Sequence, residues 1–198
     1  MLSKIEDLPN IEKLKKILQS LAMLDAILMP EWEYRYFSFD AKWDTDEMMA
    51  SMKNGEGDEY FILFNNAGAI GKEYIANLHL DNKKAQKVLN SIPKYFSNFI
   101  NEEAFKIENL SFCFWNSHDA GWISKPISEN LPYLKFLTGD TSLYRQWAEE
   151  YYEIELSEKV VQYIFEHKAL NEDIIKSLNQ NICYADIVDD IAEIGYSY

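Results

Sequence analysis

The sequence predicts an α+β fold: a mainly antiparallel sheet of about four strands covered by helices, with a C-terminal helical array. Three observations carry this. Apolar residues recur at helical spacing from Leu8 to Leu28, two apolar runs flank the turn-forming Asn65-Asn66-Ala67-Gly68, and no glycine interrupts the helical pattern between Gly139 and Gly195.

The opening run places Leu8, Ile11, Leu14, Ile17, Leu18, Leu21, Leu24 and Leu28 on one helix face, with Pro9 suited to the first turn and Pro30 closing the element. Trp32 to Phe39 is dense in aromatic residues. As a strand it would set Trp32, Tyr34 and Tyr36 on one face and Phe37 and Phe39 on the other. Asp44, Asp46 and Glu47 precede Met48 to Met52 as acids precede a helix, so a short helix is expected there, broken by Asn54-Gly55-Glu56-Gly57-Asp58. Tyr60 to Phe64 and Ala69 to Ile75 then form the hairpin. Its first arm is apolar on both faces and should lie centrally.

From Asp81 a helical pattern runs through Val88, Ile92 and Phe99, with Pro93 as a break, and Leu110 to Trp115 follows as a strand. Asn116 to Trp122 reads as a polar loop carrying His118 and Asp119. Beyond Gly139, four helices are expected, the first capped by Asp140 or Thr141, the second by Ser157, the third by Asn171, and the last carrying Ile187, Val188 and Ile191. The division is thus an α+β core over 1–139 and a helical subdomain over 140–198 packed on it, or one domain overall.

Composition bounds the function classes. The chain has 198 residues, 47% of them hydrophobic and 15% aromatic, which describes a packed globule. Its formal charge of −14 opposes phosphate backbones and anionic lipid, and Arg35 and Arg145 are the only arginines. Neither nucleic acid nor a membrane is an expected partner. A basic protein is. Met1 to Asp7 lacks the pattern of a secretory signal, so the cytoplasm is the expected compartment, and Cys113 and Cys183, both in apolar surroundings, read as free thiols.

Motifs with chemistry are missing. There is no Gly-x-Ser-x-Gly elbow, no phosphate-cradling glycine loop and no metal-ligand spacing among His79, His118 and His167. Asn54, Glu56 and Asp58 faintly resemble the start of a calcium loop, but Asn65 stands where the closing Glu belongs. No catalytic residue, cofactor or metal is assigned. The candidate partner-binding residues are Trp43, Asp44, Asp46, Glu56, Asp58, His118, Asp119 and Trp122, polar or aromatic positions beside expected loops; Trp43 and Trp122 are read as surface anchors. The alternative is a small-molecule enzyme or ligand-binding domain centred on the His118-Asp119 loop, where an imidazole can titrate near neutral pH.

Trp32-Glu33-Tyr34-Arg35-Tyr36, Met49-Ala50-Ser51-Met52, Gly57 to Phe64 and the tail Asp189 to Tyr196 resemble segments of small acidic bacterial proteins of the polymorphic-toxin immunity kind. The resemblance touches about a third of the chain and rests on structural residues. It implies a bacterial cytosolic binding protein and carries over no functional residue.

Overall fold

In the computed structural model, which describes residues 5, 8–78, 82–118, 121–126 and 132–196, six strands form one antiparallel sheet in chain order. They are β1 (Phe37–Asp44), β2 (Glu47–Lys53), β3 (Glu59–Asn65), β4 (Gly68–Tyr74), β5 (Phe112–Ser117) and β6 (Gly121–Pro126). The α+β class stands, and the expectation of about four strands is corrected to six.

The first added strand is β2. Asp44 to Met52 was expected to open a helix, because Met and Ala favour helices and the acids suit a helix N-terminus. Instead Thr45 and Asp46 make a two-residue turn, with Asp46 at a φ of +59°, and Asp44 pairs with Glu47. Packing on both sides outweighs propensity: Ala50 and Met52 enter one core cluster while Met49 enters the other. The second added strand is β6, which turns back after His118 and pairs along β5 from Gly121 to Pro126.

β1 is also displaced from the expected 32–39. Trp32–Tyr34 forms a single 3-10 turn, and the strand starts at Phe37. The cause is a buried carboxylate: Asp25 accepts the backbone N–H groups of Tyr36 at 3.0 Å and Phe37 at 2.8 Å, and the Tyr144 hydroxyl at 2.8 Å. Those bonds direct the chain from the first helix into the sheet.

The β3–β4 hairpin forms as expected. Gly68 follows its turn at a φ of +138°, and a Cβ there would lie 2.0 Å from the Asn116 carbonyl oxygen of β5, so only glycine fits.

Helix α1 (Ile11–Leu28) is capped by Asn10, whose side chain accepts from Lys13 N at 2.9 Å. Every residue from Ile17 to Ile27 is buried, more than a one-sided amphipathic helix requires. The reason is position. The sheet covers one side of α1, and the C-terminal helices α4 (Thr141–Tyr151), α5 (Glu158–Phe165), α6 (Glu172–Leu178) and α7 (Val188–Ile194) cover the other. The polar members of the buried stretch are satisfied: Gln19 donates to the Ile194 and Gly195 carbonyls, and Ser20 to those of Lys16 and Ile164. The caps expected at Asp140 and Asn171 are made through side-chain oxygens.

The apolar cluster on this face runs without interruption past Gly139, joining Phe136 and Leu137 to Tyr144 and Ala148. The opposite sheet face is covered by the β4–β5 connection, where α2 (Asn82–Leu89), α3 (Ser97–Asn101) and the 3-10 turns Lys94–Phe96 and Glu103–Phe105 set Val88, Phe99, Phe96 and Phe105 over Phe61, Leu63 and Ile70. Lys72 lies fully buried within that second layer and donates to Glu59, the Lys106 carbonyl and the Asn109 carbonyl at 3.0–3.1 Å. Among the described residues no helix is long and apolar enough to cross a membrane.

Candidate functional site

A meander sends alternate connections to opposite ends of the sheet. The turns after β1, β3 and β5 share one end; the β2–β3 loop shares the other with the start of β1. This divides the residues singled out from the sequence. Trp43, Asp44, Asp46 and His118 stand at the first end, and Glu56 and Asp58 at the second. Asp119 lies outside the described residues.

Trp122 is inside the molecule. It is 8% exposed, its indole N–H donates to the Pro9 carbonyl at 2.8 Å, and its ring lies 5.7 Å from that of Phe114. Trp43 is half-buried and stacks on Phe105 at 5.8 Å, on the other face. These two tryptophans belong to opposite edge strands, about 24 Å apart at roughly 4.8 Å per strand spacing. They share no surface.

At the first end, His118 opens onto a depression of about 240 Å³ with Asp46, Glu12, Asn65 and Asn66. Glu12 is paired with Lys15 at 2.9 Å, and neither Glu12 nor Asp46 is hydrogen-bonded to His118. Among the described residues no group of three His, Cys, Asp or Glu side chains is placed to hold a metal ion. The Cys113 thiol is buried, and burial pushes it up to about 12, so it stays protonated and unreactive.

The second end is richer in exposed apolar surface. Trp32 is 63% exposed, Tyr34 60% and Tyr151 46%, and all three line one groove of about 290 Å³ that Ser38 and Ser51 also border. Exposed aromatic rings grouped along one groove are the kind of feature that contact surfaces use. The groove is firmly built. Arg35 holds the 29–35 segment in place, donating to the Met29 and Pro30 carbonyls at 2.9 Å and pairing with both carboxylate oxygens of Asp190 on α7. Tyr36, at the back, packs its ring 4.5 Å from Trp147 and 5.3 Å from Tyr151.

The adjoining loop is equally fixed. Asn54 accepts from the backbone N–H groups of Glu56 and Asp58, and the Tyr133 hydroxyl donates to Asp58 at 2.7 Å. The Tyr133 amide in turn donates to Glu73 of β4 at 3.2 Å, where burial and the nearby Asp58 charge raise the carboxyl to about 8. Burial likewise raises Asp25 to about 6, against the opposing effect of its hydrogen bonds. Both are interior groups that brace the groove from behind.

From the sequence, Trp32 and Tyr34 read as packed strand residues, with a groove-lining role as the alternative, and Tyr151 as an inward helix residue; the structure leaves all three exposed. The signal was present in Pro30-Glu31-Trp32-Glu33-Tyr34-Arg35, where charges alternate with aromatics directly after a proline. A buried two-faced strand does not carry ionised side chains at every second position.

Compared with known proteins, the chain matches no family model, no curated protein and no solved structure. Fold and surface define the class to which it can be assigned: an α+β protein with a six-stranded meander and an aromatic groove at one end of its sheet.

Proposed function

We propose that this chain is a cytoplasmic, non-enzymatic protein-binding module of the immunity kind, and that it captures a basic partner at the second end of the sheet. The observation that carries the reading is the exposure of Trp32 and Tyr34, 63% and 60%, within a chain of net charge −14. Charge would steer a cationic partner to the molecule, and desolvation of the rings would supply affinity. The sequence resemblance to immunity proteins of polymorphic toxins supports the same role.

The test is capture from the native host with the purified chain as bait. A basic protein should be retained, released by rising salt, and lost when Trp32 and Tyr34 are both replaced by Ala. Equal retention by the double variant would remove the groove from the proposal, and enrichment of no protein at all would end the reading.

A second reading, a small-molecule enzyme or ligand-binding domain, draws support from the concave surface that His118 shares with Asp46 and Glu12. It expects His118→Ala to abolish ligand binding or turnover while leaving partner capture intact.

A further inference from the structure

Resting on the reading above that the groove captures a cationic protein, we infer that its centre seats an arginine side chain of that partner. The argument begins with the charges of the lining. Glu33, Arg35 and Lys53 are its ionisable members besides the tyrosines. The Arg35 guanidinium is already engaged by Asp190 and two carbonyls. The Lys53 ammonium lies 5.3 Å from the centre of the Phe61 ring of β3, which it faces. Glu33, which is exposed, is therefore the one carboxylate of the lining and stands outside any ion pair among the described residues, and the walls are aromatic.

Aromatic faces beside an unpaired carboxylate favour a cation over a neutral guest, because ring quadrupole and carboxylate act in the same direction. Arginine fits better than lysine. A guanidinium can lie flat on an indole or phenol ring while its edge N–H groups reach acceptors, whereas an ammonium is compact and more strongly hydrated. Acceptors are at hand: the Ser38 and Ser51 hydroxyls, 2.7 Å apart on β1 and β2, border the groove, and Glu33 stands at its rim. An opening of about 290 Å³ sits at the lower end of ligand-site sizes, suited to one long side chain. The fixed 29–35 segment holds this seat without a partner, so little ordering is needed on binding.

The test titrates the full-length chain with oligoarginine, oligolysine and oligocitrulline peptides of equal length, followed by tryptophan fluorescence and calorimetry at physiological ionic strength. Oligoarginine should bind about tenfold tighter than oligolysine, and the neutral citrulline peptide should not bind. Trp32→Ala and Glu33→Gln should each weaken the arginine peptide by about tenfold with little effect on the lysine peptide, and Glu158→Gln, on the exposed surface of α5, should change neither. Circular dichroism checks that each variant is folded. Equal binding of the two cationic peptides, or arginine binding indifferent to Trp32→Ala, overturns the inference. If the Trp32 and Tyr34 variants lose the native partner while the peptides show no arginine preference, the docking groove stands and only the arginine assignment fails. If neither responds, both fall.

Discussion

Glu73 sits on an inner strand of the sheet with no solvent exposure, one carboxyl oxygen accepting the Tyr133 amide and the other without a hydrogen-bond partner. Replacing it with Gln keeps the acceptor and the shape and removes the ionisation. The folded-state value of about 8 against an ordinary 4.5 means that, between those pH values, the folded chain holds a proton that the unfolded chain has released. Stability must then fall as pH rises across that window, by about 1.4 kcal/mol per pH unit, and level off above it. From pH 4.5 to 7 the loss is about 3 kcal/mol, which in a domain of this size corresponds to roughly 6–12 °C in Tm. Asp25, raised to about 6, slopes the same way over its own lower range in both proteins and cancels in the comparison. Urea or thermal denaturation of wild type and Glu73→Gln at several pH values between 4.5 and 8 measures the difference. The variant should gain on wild type steadily as pH rises. A constant offset would instead reflect the amide's own hydrogen bonding, and parallel profiles would refute a buried, protonated Glu73.

Gly68→Ala drives a Cβ to 2.0 Å from a backbone oxygen at a φ of +138°, and should cost about 2–4 kcal/mol in chemical denaturation, with the β3–β4 hairpin displaced in amide exchange. Lys72→Met leaves Glu59 and two loop carbonyls without their donor; a loss of about 3 kcal/mol in the same assay is expected, and no loss would mean that the buried ammonium is not a structural pin. Trp32→Ala and Tyr34→Ala remove exposed rings and should change stability by less than about 1 kcal/mol while abolishing partner capture. A large stability loss there would show that the rings are structural.

How far the sequence could be read depended on whether local and tertiary preferences agreed. Where they did, as at the β3–β4 hairpin, the Asp140 and Asn171 caps and the four C-terminal helices, the pattern carried through to the structure. Met48 to Met52 went the other way because its helix-favouring residues sit between two strands and fill both faces of the sheet, a circumstance not encoded within the segment itself. The 32–36 segment was misplaced for a long-range reason: Asp25, Asp190 and Tyr144 together determine where β1 begins, and none is a sequence neighbour. The site followed from that error. With Trp32 and Tyr34 assigned to a strand, the surface tryptophans were sought at Trp43 and Trp122, one of which is half-buried and the other a core residue bonded to Pro9.

The groove's dependence on distant parts of the chain also says something about its use. Its aromatic lip is a single 3-10 turn, too short to hold a shape alone, yet it is tied to α7 through Arg35 and Asp190, and it leads into β1 at the two amides that Asp25 of α1 holds. Tyr151 reaches the same groove from α4. A surface lined by the 32–38 segment, the sheet edge and α4, and tethered to α1 and α7, is complete only when these distant parts of the chain have folded together. Recognition at such a surface selects the native molecule over its fragments. That is consistent with the proposed capture of a partner by a preformed face, because the ordering cost is met in folding and not at the moment of binding.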